Sequence, residues 1–104
     1  MQALMTEELA EGLPPLYATE GEGDLVALVH YFSCLNGWDW YLTEYDPETG
    51  EAFGFVRGFE TEWGYFSLRE MEELNHSRGL NVVERDEHFE PTRVSALEGR
   101  RQGC

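Results

Sequence analysis

The sequence contains no lysine: its seven cations are all arginine, set against 21 acidic residues for a formal net charge of −14. Residues 1–56 lack arginine as well, yet hold eleven carboxylates (Glu7, Glu8, Glu11, Glu20, Glu22, Asp24, Asp39, Glu44, Asp46, Glu48 and Glu51). Such a stretch repels phosphate, which argues against direct binding of nucleic acid and against docking on an anionic membrane. Cysteine occurs twice, as Cys34 at the end of an apolar run and Cys104 at the last position. Two unpaired thiols in a reducing, cytoplasmic setting are therefore expected. No run approaches the ~20 apolar residues that span a bilayer. Residues 1–8 lack the basic region and apolar core of a signal peptide. Also missing are a phosphate loop, a nucleophile elbow, a zinc-protease helix and a paired-cysteine knuckle. Gly21-Glu22-Gly23-Asp24 begins like a dinucleotide fingerprint, but the third glycine is absent and the acids would repel pyrophosphate. No cofactor is expected.

What is present suffices for a core. Of 104 residues, 41% are hydrophobic and 13% aromatic, too many for a disordered acidic tail. One domain over residues 1–104 is expected, with a loose tail at 98–104. Thr6 caps a short helix that Gly12 and Pro14-Pro15 must end. Residues 25–33 read as a central strand, apolar on both faces, and 38–45 as a second. Asp46-Pro47-Glu48-Thr49-Gly50 is a turn, and 51–60 return as a third strand. Pairing Tyr45 with Glu51 sets Thr43 against Phe53, Tyr41 against Phe55 and Asp39 against Arg57, the last as a cross-strand ion pair. It also places Leu42 over Gly54, Trp40 over Val56 and Trp38 over Gly58. Residues 61–64 read as a turn before a short strand at 65–66. Ser67 and Glu70 form a capping box for a helix over 68–76 that buries Leu68, Met71 and Leu74 and stops at Gly79. A fifth strand follows at 80–85. The fold class is α+β: an antiparallel meander of four to five strands, one main helix after the hairpins and a short N-terminal helix.

The charge asymmetry points to a basic partner surface, although net charge of this size also serves solubility alone. Candidate contacts are Asp39, Glu44, Asp46, Glu48, Glu51, Glu60 and Glu62, with Trp63 as an aromatic anchor. Asp86, His88 and Glu90 alternate, and in an extended segment they would share a face that could ligate a metal. His30 reads as a hydrogen-bonded sheet histidine, and His76 as a favourable charge at a helix C-terminus.

The order of segments resembles the family called domain of unknown function 2958. The resemblance is carried by Leu13-Pro14-Pro15-Leu16-Tyr17, by Val29-His30-Tyr31-Phe32 and above all by the block from Trp38-Asp39-Trp40 to Thr49-Gly50. Phe53-Gly54-Phe55-Val56, Glu62-Trp63-Gly64-Tyr65-Phe66-Ser67-Leu68, Gly79-Leu80, Glu84-Arg85-Asp86 and Phe89-Glu90-Pro91 continue it. It covers residues 13–97, and residues 1–12 look less family-like. The resemblance implies an accessory protein of bacterial plasmids, phages or integrated elements, and no catalytic residues. With the charge, it leads to an expected protein-binding role, most specifically an anti-defence inhibitor (anti-CRISPR or anti-restriction). Such an inhibitor would mimic nucleic acid or block the basic surface of a nucleic-acid-binding complex. A structural or regulatory interaction module, in one version a homodimer, and a small metal-dependent enzyme built on Asp86, His88 and Glu90 are the alternatives.

Overall fold

The turn at residues 46–50 organises the sheet. Asp46 closes it, accepting from the Glu48 amide at 2.9 Å and the Thr49 hydroxyl at 3.1 Å, and Gly50 supplies the left-handed residue at φ 79°. The computed structural model describes residues 2–97. Five antiparallel strands stand in the order β5-β4-β3-β2-β6: β2 (Val29–Ser33), β3 (Trp38–Asp46), β4 (Glu51–Arg57), β5 (Thr61–Ser67) and β6 (Glu84–Arg85). A second, two-stranded sheet pairs β1 (Val26–Ala27) with β7 (Thr92–Arg93). The helices are α1 (Glu7–Glu11), α2 (Leu68–Arg78) and α3 (Val94–Leu97), so the chain is an α+β protein. None of the described helices is long and apolar enough to cross a membrane.

Each face of the main sheet has its own core. Leu4, Tyr31, Trp40, Leu42, Tyr45 and Leu68 pack on one side, joined by Met5 and Leu13 from the N-terminal segment and Met71 of α2. On the other, Leu25, Ala27, Tyr41, Phe55, Val94 and Leu97 pack under the small sheet and α3. The small sheet and α3 were not legible in the sequence. They split the expected strand 25–33, because Leu25 and Ala27 turn toward the second core while Val26 and Ala27 pair with β7.

The caps fall where expected. The Ser67 hydroxyl accepts from the Glu70 amide at 3.1 Å, and Gly79 ends α2 at φ 68°. The buried stripe of α2 is different: Leu74 is exposed, and Asn75 is buried in its place. Its side chain accepts from the Val82 and Val83 amides and donates to the Val83 carbonyl. That clamp turns residues 80–83 back on the helix, which shortens the expected fifth strand to Glu84–Arg85. Residues 61–64 are not a turn; they begin a seven-residue strand, and the reversal lies at Gly58–Glu60. Cys34 is disulfide-bonded rather than a free thiol, while Cys104 and the tail expected to be loose lie outside the described residues.

Asp24 ties the two ends of the second core together. Its carboxylate accepts from the Ser95 hydroxyl at 2.6 Å and the Ser95 amide at 3.1 Å. Those bonds, the side-chain one first, hold its pKa below the ordinary carboxylate value, helped by Arg93. The stability from this contact is therefore present above the unfolded pKa near 3.8 and lost as pH falls through the lower folded value. Asp24→Asn is expected to lose less stability than wild type on acidification from about pH 5 to about pH 2, measured as the urea midpoint. Equal acid sensitivity would contradict this.

Candidate functional site

The hairpin register contains a bulge with consequences for the outer face. Asp46 pairs with Glu51, Tyr45 with Ala52 and Glu44 with Phe53. The register then shifts at Thr43, so that Leu42 meets Gly54, Tyr41 meets Phe55 and Asp39 meets Arg57. The expected pairs from Leu42 back to Asp39 hold because the turn is one residue tighter and the bulge restores the frame. The pair Thr43–Phe53 does not form. Without the extra residue Glu44 would point into the main core; with it, Glu44 shares the face of Phe53.

Glu44 is 3% exposed and forms the floor of a cleft of about 410 Å³. One carboxylate oxygen accepts from the Tyr17 amide at 2.8 Å; the other accepts from the Thr19 amide at 2.9 Å and from the Thr19 hydroxyl. These bonds pin the 15–24 loop across the sheet and hold Tyr17 at φ 71°, a left-handed conformation that a bulky residue rarely adopts. The Tyr17 ring thereby meets Tyr65 at 6.4 Å. Phe53 stacks on Trp63 at 5.8 Å and 18° and tilts against Tyr65 at 4.9 Å. The walls are thus four aromatic rings, and Glu20 and Glu22 stand with Glu44 among the lining residues, with no arginine among the described residues. The Tyr65 hydroxyl is held above its ordinary pKa, first by its hydrogen bond with Tyr17, then by desolvation, with smaller contributions from Glu44 and Glu51. Aromatic faces and carboxylates in one concavity suit a cation.

Glu44→Ala is expected to lower stability by about 1–3 kcal/mol, because two amides and a hydroxyl lose their acceptor. It should also speed cleavage after Glu20 and Glu22 by a glutamate-specific protease. Unchanged cleavage would show that the loop is held otherwise.

A second cavity, of about 580 Å³, lies beside α1. There Arg85 stands 3.6 Å from Glu87, so part of its charge is answered internally.

The remaining expected contacts do not form one surface. Asp39 is 1% exposed: one of its oxygens lies 2.8 Å from His30 Nε2, and the other has no hydrogen-bond partner among the described residues. It faces Arg57 across the ladder, but no ion pair forms between them; Arg57 donates to the Leu97 carbonyl instead. His30 is fully buried, stacks on Tyr41 at 4.5 Å and has its Nδ1 3.1 Å from Asp86. Asp46 is committed to its turn. Glu48, Glu51, Glu60, Glu62 and Trp63 are exposed. Glu48 and Glu51 lie at one end of β4, and Glu60 and Glu62 near the other, across seven residues or about 20 Å. Glu62 pairs with Val56, on the face opposite the Trp63–Phe55 pair.

The metal candidates do not assemble. The chain turns at Glu87–His88, where the Asp86 carboxylate accepts from the His88 amide at 3.0 Å, so the alternation never becomes a face. No three metal-ligating side chains come together among the described residues. Nor does the charge gradient along the sequence survive in space. Arg69 donates to the Glu48 carbonyl, Arg85 to that of Ala3 and Arg93 to that of Asp24, so arginines of the second half sit on the first.

Tyr17, Phe53, Tyr65, Glu20 and Glu22 are not among the site residues expected from the sequence. Alternation of Trp63 and Tyr65 against Phe53 and Phe55 was the available signal, hidden once 61–64 was read as a turn.

Fold and site define a small α+β protein with an aromatic, acidic cleft on one sheet face. The chain belongs to the family described as "Protein of unknown function (DUF2958)", whose model matches residues 4–97. The match includes α1 and Leu4, which is fully buried and whose carbonyl accepts from the Tyr31 hydroxyl; the family-like core therefore begins before Leu13. No curated protein and no solved structure matches the chain.

Proposed function

We propose that the protein acts by binding a basic protein surface, taking a cationic side chain into the cleft of Tyr17, Phe53, Trp63 and Tyr65. The observation that carries this is the cleft's composition, four rings and three carboxylates with no arginine among the described residues. A cation held between ring faces and a partly desolvated carboxylate gains from both. The more specific reading is an anti-defence inhibitor, anti-CRISPR or anti-restriction, that blocks a nucleic-acid-binding surface. The net charge of −14 and the mobile-element context implied by the resemblance support it. Blocking is favoured over mimicry of nucleic acid, because the exposed carboxylates are dispersed and two of the expected contacts are buried.

The test is plasmid transformation or phage plating in a host carrying an active defence system. Wild type is expected to raise efficiency, and the Glu20→Gln/Glu22→Gln/Trp63→Ala variant to return it to the vector level. Equal potency of the two proteins would overturn the cleft reading. Pull-down from the same host should recover a basic partner at low salt and lose it at ~1 M, where screening is short-ranged.

A further inference from the structure

We propose that the outer edge of β5 is a strand-addition site, and that its occupant is an extended partner segment with arginine or lysine at alternate positions. The inference rests on the cleft reading and specifies how the partner engages it.

β5 stands at the end of the strand order and, among the described residues, pairs only with β4, through seven residues with no break in register. Among the described residues, no other strand or loop hydrogen-bonds along its far side. An edge of this length is normally blunted by proline, lysine, a bulge or an inward charge. Thr61–Ser67 has no proline, no lysine and no bulge, and its one charge is Glu62.

Gly64 at the strand's centre is a second, independent sign. It pairs with Gly54, and the two glycines differ in their reasons. A Cβ on Gly54 would lie 1.9 Å from the Tyr41 carbonyl oxygen; one on Gly64 would meet nothing within 4 Å. Gly64 also lacks a positive φ. Its own fold does not require glycine there, and glycine in a strand weakens it. A bare centre does suit the close approach of another backbone.

The edge and the cleft are continuous, since Trp63 and Tyr65 flank Gly64 and line the cleft. An added strand would place every second side chain on that face. Cations there would lie beside the Trp63 and Tyr65 rings and within reach of the cleft's carboxylates, while main-chain hydrogen bonds supply affinity. Charge decides against a second copy of this chain: each brings −14, and pairing edges would bring two acidic clefts together.

The probe is a blocked octapeptide of alternating arginine and valine. The control is the same octapeptide N-methylated at every residue, with the same charge and side chains but no backbone N–H to donate. The arginine–valine peptide is expected to bind, to protect alternate amides of β5 from hydrogen exchange, and to exceed the N-methylated control by about tenfold or more. Trp63→Ala and Tyr65→Ala should weaken it. Equal binding of both peptides without protection of β5 would overturn strand addition and leave the cleft reading standing. Binding of neither would overturn both. Protection of β5 without peptide, growing with protein concentration, would make the occupant a second copy and overturn the proposal.

Discussion

Replacing His30 with alanine is expected to destabilise the protein by about 3–5 kcal/mol, because it leaves a buried carboxylate with no partner. The ring joins three segments. It lies 2.8 Å from Asp39 on β3 and 3.1 Å from Asp86 after β6, and is itself on β2. Asp39 has no alternative: it is 1% exposed, its second oxygen is already without a hydrogen-bond partner among the described residues, and the arginine opposite is engaged elsewhere. The cost should appear as a lower urea midpoint. Removing the stranded charge as well, in His30→Ala/Asp39→Ala, should recover part of the loss, since the penalty belongs to the uncompensated ion. A double variant as unstable as the sum of the singles would show that His30 contributes through its stacking on Tyr41 instead.

Gly54→Ala is the second large effect. The added methyl would sit 1.9 Å from the Tyr41 carbonyl oxygen and 3.1 Å from Leu42 Cα, both backbone atoms that no rotamer change can move. Overpacking of a core costs about 1–3 kcal/mol and occasionally more; a clash with main chain should reach the upper end or beyond it. The expected outcome is a loss of about 3 kcal/mol or more, together with faster proteolysis of the 15–24 loop, because forcing β3 from β4 disturbs the bulge that aims Glu44. Gly64→Ala, directly opposite, is the matched control and should leave stability unchanged or slightly improved. Similar losses at both positions would refute the close-approach argument.

Much of the fold was readable where one residue type fixes one local geometry. Asp46 and Gly50 at the turn, Ser67 at the start of α2 and Gly79 at its end needed no tertiary information. The pairing of Asp39 through Leu42 also emerged, but through two compensating differences: a tighter turn and a bulge. A bulge leaves little trace in sequence because the pleat has period two, and one extra residue exchanges the faces of everything beyond it. That is why Glu44 was read as a surface carboxylate and why the cleft was missed. Asn75 shows the same limit on a helix: hydropathy favours Leu74, while three hydrogen bonds to residues 82 and 83 bury the amide. The pairing of β1 with β7 joins residues far apart in the chain, and nothing local announces it.

The arginine contacts carry a consequence for synthesis. Residues 1–56, with eleven carboxylates and neither arginine nor lysine, leave the ribosome before Arg57 appears. Through that interval this stretch is a polyanion whose self-repulsion opposes compaction. β2 and β3 are already present, but Arg69, Arg85 and Arg93, which fasten onto the Glu48, Ala3 and Asp24 carbonyls, are not. Closure of both cores therefore waits for the last third of the chain, and a truncated or stalled product should remain expanded.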